Sequence, residues 1–132
     1  MASANTTIQS FIVHLANQLG TPLTLQNGVC ALYDDDHHQA AVIEMAEQGD
    51  CVILHCRLGA LYPEQDNLER LLCMNFDIAL LRGCWLALDK GDVRLCIQHE
   101  LNPLDEDGFC QLVNGFIAQA RETRSDLAHL LG

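Results

Sequence analysis

Lysine is almost missing from this chain of 132 residues: Lys90 stands alone, and six arginines complete the cations. Against these seven stand 18 Asp and Glu, for a formal net charge of -11. Nucleic-acid binding rests on clustered Lys and Arg that displace counterions, and the sequence holds no such run. The same negative field repels anionic lipid. Long apolar runs are missing too, since no stretch approaches the ~18–20 residues of a membrane span. The opening MASANTTIQS lacks a basic region, and the apolar run at 11–16 is short and broken by His14, which argues against a signal peptide. Repeats, linkers and low-complexity segments are absent. These absences exclude nucleic acid and membrane as partners, and leave a cytoplasmic domain suited to a basic or apolar polypeptide.

Chemical motifs are equally scarce. There is no G-x-S-x-G elbow, P-loop or dinucleotide fingerprint. Cys51 and Cys56 form one loose pair, and a zinc knuckle wants a second. Cys51 and His55 share a strand face but lie ~13–14 Å apart by strand rise, too far for a thiol and its base. Asp34-Asp35-Asp36-His37-His38 offers carboxylates and imidazoles. Neighbouring residues in a short turn do not all converge on one ion, however, and the spaced ligands and glycine of a calcium loop are missing. That run reads as a solvated turn. His14, His99 and His129 stand isolated. The seven cysteines follow apolar positions, as thiols do in a reducing cytosol. No catalytic residue, cofactor or metal is expected.

What is present is apolar residues in ordered patterns, amounting to 49% of the chain. This length suits one domain with a real core. Ile8, Phe11, Ile12, Leu15 and Leu19 recur at helical spacing, with caps available at Asn5, Thr6 and Thr7, and Gly20 followed by Pro22 stops the helix. Three strand-like runs follow at 28–33, 39–45 and 51–58, separated by polar turns at 34–38 and 46–50. In the third, Val52, Leu54, Cys56 and Leu58 share the core side. Pro63 suits the first turn of a second helix, with Leu68, Leu71, Leu72 and Phe76 on one face and Cys73 and Met74 widening it. Two more strands are expected at 79–88 and 92–99, joined by a hairpin in which Gly91 supplies positive φ. Asp105 then caps a third helix striped by Phe109, Leu112, Val113, Phe116, Ile117 and Ala120. The order implies an α+β fold with an antiparallel sheet. Strand 79–88 carries apolar residues on both sides. A sheet with one helical layer buries one face only, so the surplus points to protein binding.

The stretches GVCALYDD, VIEMAEQGDCVILHCRLG, LLCMNF, LRGCWLALD with GDVRLC, LNPLD and FCQLVNGFIAQA stand in an order and spacing that resemble the class I type III secretion chaperones, typified by the Tir chaperone. The resemblance runs over nearly all of residues 1–132, taken as one domain. It implies a strongly twisted antiparallel sheet with three helices in the order α-β-β-β-α-β-β-α, and a homodimer joined through the second helix and the next strand. By position, that interface falls on Leu68, Leu71, Leu72, Met74, Phe76, Leu81 and Trp85. The family's members bind the N-terminal region of a secreted effector in extended form and hand it to the export machinery. Phe11, Leu15, Ile43, Ile53 and Ile97 are the expected effector-binding positions. The alternative is a small α+β enzyme or ligand-binding protein with an apolar pocket; Tyr33, Tyr62 and Glu44 are on offer there, but nothing pairs them.

Overall fold

The computed structural model describes residues 4–46 and 50–132. A helix at Ala4–Leu19 (α1) leads into strands Val29–Tyr33 (β1), Gln39–Met45 (β2) and Cys51–Ala60 (β3). Helices Asn67–Asn75 (α2) and Ile78–Leu81 (α3) precede strands Trp85–Asp89 (β4) and Asp92–Glu100 (β5). The long helix Glu106–Asp126 (α4) and a 3-10 turn at Ala128–Leu130 end the chain. The five strands form one antiparallel sheet in the order β1-β2-β3-β5-β4. This is the α+β architecture expected from the element pattern. Among the described residues no helix is long and apolar enough to cross a membrane.

Helices α1 and α4 cover one side of the sheet. Alternation along β3 sends Val52, Leu54, Cys56 and Leu58 inward, all of them buried. They meet Phe109, Val113, Phe116 and Ala120 of α4 and Ile8, Phe11, Ile12 and Leu15 of α1 in one apolar cluster. Phe11 stacks on Phe109 with ring centroids 5.2 Å apart. The middle of α1 is tied to the start of α4 by Ser10, which donates to Glu106 at 2.9 Å, and by His14, which lies 3.3 Å from Glu106 and 3.1 Å from Asp107. Asp105 is the expected cap of α4, accepting from the Gly108 amide at 2.7 Å. Leu127 and Leu130 close the core below the helix.

Three boundaries differ from the sequence expectation. Residues 79–84 are not strand; Ile78–Leu81 is a single helical turn. Asp77 caps it by accepting from the Leu80 amide, and Arg82 stops it in the left-handed region at φ 52° with Gly83 next. Gln119 of α4 then clamps α3 through the Leu80 carbonyl at 3.1 Å. The second helix starts at Asn67 rather than near Pro63, because the fully buried Asn67 side chain bonds the Tyr62 carbonyl and holds 62–66 as a loop. The first helix begins by Ala4, so Asn5, Thr6 and Thr7 lie within it rather than capping it. Most of the turn expected at 46–50 falls outside the described residues. The β4–β5 hairpin has positive φ at both Lys90 (52°) and Gly91 (85°), the two-residue turn that matches strand twist. Gly59 sits at a bulge in β3, where an added Cβ would press on Leu131 at 3.2 Å.

Candidate binding surfaces

Helix α2 divides its apolar residues between two sides. Leu71 turns inward and is 7% exposed, while Leu68, Leu72 and Phe76 line the outer side, with Leu72 at 71% and Phe76 at 86%. Positions 68, 72 and 76 are one helical turn apart, so they form a continuous outward stripe. Leu88 of β4 lines a groove beside it, and Ile78 of α3 and Trp85 of β4 are exposed as well, Trp85 on the opposite face of the strand from Leu88. These six are more than half of the ten large apolar side chains that stand exposed among the described residues, so the exposed apolar surface concentrates on α2, α3 and β4. An apolar groove of about 210 Å³ runs through it, lined by Leu68, Leu71, Leu72, Asn75, Leu86, Ala87 and Leu88.

Of the seven side chains assigned by sequence to the dimer interface, the outer surface carries Leu68, Leu72, Phe76 and Trp85, with Met74 half-buried. Leu71 and Leu81 belong to the subunit's own core instead. Both pack into the buried cluster, a direction that apolar identity alone does not reveal. Ile78 and Leu88 join the patch without having been singled out; the missed cap at Asp77 hid the first.

Strand β4 is a sheet edge, and Asn75 covers it. Its side-chain amide donates to the Leu86 carbonyl at 2.9 Å, and its side-chain carbonyl accepts from the Leu86 amide at 2.6 Å. One side chain thus does for Leu86 what a further strand would do. The opposite edge is β1. There Val29 exchanges both main-chain bonds with Gln26, at 2.9 Å each. Alternation places the amide and carbonyl of Ala31 on that same outer side.

The register fixes what lies on the sheet side away from α1 and α4. One row crosses all five strands as Ala31, Val42, His55, Cys96 and Trp85; a second holds Val29, Glu44, Ile53 and Gln98. Between them sits a polar brace. Arg94 donates to His55 Nδ1 at 2.8 Å, so the ring proton is on Nε2, which donates to Glu44 at 2.9 Å. His55 is therefore partly buried and engaged on both ring nitrogens. Of the five positions expected to bind an effector, only Ile53 lies on this side. Ile97 is half-buried on the helix side opposite Leu54, and Phe11, Leu15 and Ile43 are core. The reason is that α1 has a single apolar stripe, and α4 takes it. Val13 and Leu19 are the exposed apolar residues of α1.

The acidic turn is tighter than its sequence suggests. Asp34, Asp36 and His38, alternate rather than adjacent residues, bring their ligand atoms within 4.8 Å of one another at the surface. A local cause accounts for it: Asp34 accepts from the amides of both Asp36 and His38 at 2.9 Å. The His38 bond above all holds the Asp34 carboxyl below the usual carboxylate range. All seven cysteines are free thiols. Burial pushes Cys30, Cys56, Cys96 and Cys110 up, and Cys84 up to about 11, so these are protonated and poor nucleophiles at neutral pH.

Similar folds occur in solved complexes. The chain matches one in the ExsC-ExsE complex at TM-score 0.76 and 15% identity, covering 99% of this chain and 97% of that one. A chain of the heterodimeric ExoU-SpcU complex of the Pseudomonas aeruginosa type III secretion system matches at 0.66 and 23%, covering 91% and 96%. A chain in the complex of the Yersinia pestis type III secretion chaperone SycH with a stable fragment of YscM2 matches at 0.62 and 18%, covering 84% and 94%. At these identities the likeness is one of fold. Comparison with curated protein sequences gives no match. Residues 10–124 match the model of the Tir chaperone protein (CesT) family, and the chain belongs to that family.

Proposed function

We propose that the chain is a non-enzymatic chaperone of the bacterial cytoplasm. As a homodimer, it holds the N-terminal segment of a type III secreted effector in extended form until the export machinery takes it. The observation that carries this reading is the apolar patch on α2, α3 and β4, exposed in a single subunit of a chaperone-family chain. A two-fold contact is self-complementary, so one patch suffices to pair two copies. Leu68, Leu72, Phe76, Ile78, Trp85 and Leu88 form that contact, with Met74 at its margin, and Asn75 keeps the β4 edge from pairing promiscuously.

The client is then received elsewhere. Its main chain adds to the β1 edge beside Ala31, and its apolar side chains settle near Val29 and Ile53. Such coupled ordering buries on the order of 1,000–3,000 Å² and gives back several kcal/mol in lost chain entropy. No covalent step is involved. Surrounding carboxylates favour basic client segments and keep the free dimer dispersed.

The test is coexpression with the N-terminal fragment of a secreted protein encoded in the neighbouring reading frame. The fragment should copurify and resist protease while bound. A fragment that stays insoluble, or is digested as fast with the chain as without it, contradicts the proposal.

A further inference from the structure

Four of the chain's seven cationic side chains meet at one place. Arg57, Arg94, Arg121 and Arg124 line a recess of about 440 Å³ between β3, β5, the start of β2 and the second half of α4. Asp34 is the single carboxylate among the described lining residues, so they make the recess locally positive in a chain of net charge -11. The arrangement is unfavourable in isolation. Arg57 and Arg94 are direct cross-strand partners, and like charges directly opposite one another destabilise a sheet. Among the described residues, Arg57 is the one of the four with a carboxylate as ion-pair partner, Asp92 at 3.0 Å. Arg94 donates to His55 Nδ1, and Arg124 to the main-chain carbonyls of Leu58 (3.0 Å) and Arg57 (2.9 Å). These contacts orient the guanidiniums without neutralising them. Each guanidinium has five N–H donors, and the bonds described use two from Arg124 and one each from Arg57 and Arg94.

We propose that this recess is an anion site for a compact ligand bearing two or more carboxylate or phosphate groups. The recess falls within the ~300–1,000 Å³ range of small-molecule sites, and a guanidinium's paired N–H donors suit bidentate oxyanion recognition. Its lining includes no residue of the α2–β4 groove and none of Val29, Ala31 and Ile53, where the client is proposed to sit. It therefore stands or falls independently of the client-binding proposal.

The experiment is calorimetric titration of the full chain with pyrophosphate, with citrate and with a glutamate-rich peptide, all at matched ionic strength. Pyrophosphate or citrate should bind saturably at one site per chain. Arg121→Gln, at an exposed position, should weaken that binding about tenfold or more, the loss expected of a charge-assisted contact. Arg82→Gln should leave it unchanged, because Arg82 lies outside the recess beside Glu122. Amide NMR shifts at 34–40 should move with the same saturation curve. Heats no larger than those of matched sodium chloride, equal affinity in Arg121→Gln, or binding of the peptide alone would overturn the assignment.

Discussion

Neighbouring positions on α2 test the proposed dimer by separating folding from association. Leu72 is 71% exposed in the subunit, so replacing it leaves the core untouched, whereas Leu71 beside it is 7% exposed. Burying a leucine fully contributes ~1.5–3 kcal/mol, so the exposed share of Leu72 contributes ~1–2 kcal/mol on docking. A two-fold axis counts it twice, giving ~2–4 kcal/mol, or roughly a 30- to 700-fold change in dimer Kd. Leu72→Asp also places two carboxylates in the contact, which adds a desolvation cost on top. Leu72→Asp should therefore sediment as a folded monomer with a helical circular dichroism spectrum. Leu71→Asp should lose the fold itself, because it puts a charge under α2 against the sheet. Light scattering with circular dichroism reads both. A Leu72→Asp protein that dimerises with unchanged Kd would refute the placement of the interface.

Other outcomes follow from local geometry. Asn75→Ala removes both side-chain bonds to Leu86 and should lower unfolding free energy by ~1–3 kcal/mol, read by urea titration, and promote concentration-dependent aggregation at the β4 edge; an unchanged midpoint and a clear solution would contradict the brace. Asp105→Ala uncaps α4 and should cost about 1 kcal/mol in the same assay, with Asp105→Asn recovering most of it. The buried thiols give an alkaline limb. Their folded pKa values lie above the ordinary 9.0, so stability is full below 9.0 and is lost as pH rises toward the folded values, about 11 for Cys84. Urea midpoints compared at roughly pH 8 and pH 10.5 should fall, and Cys84 should alkylate far more slowly at pH 8 than exposed Cys73.

The fold was largely legible because its signals are local. The strict alternation of β3, the Asp105 cap and the Gly91 hairpin each state their own geometry. The miss at 79–84 has a physical cause: a four-residue apolar run suits a helical turn as well as a strand, and the deciding bonds come from Asp77 and from Gln119, 39 residues away. The binding surface was legible only in part. Composition revealed surplus apolar residues, yet which side of α2 faces out depends on where β4 and α4 lie. That is why Leu72 and Phe76 emerged while Leu71, Leu81, Phe11, Leu15 and Ile43 turned inward. The arginine recess was invisible for the same reason, since β3, β5 and α4 bring together residues that no run in the sequence joins.

The proposed function requires this chain to hold a client without folding it. An isotope-labelled N-terminal effector fragment bound to the unlabelled dimer puts that to the test by NMR. Its backbone shifts should report extended structure, with slow amide exchange confined to one strand-length segment. Shifts of a compact folded domain, or of a free and unprotected chain, would contradict the account.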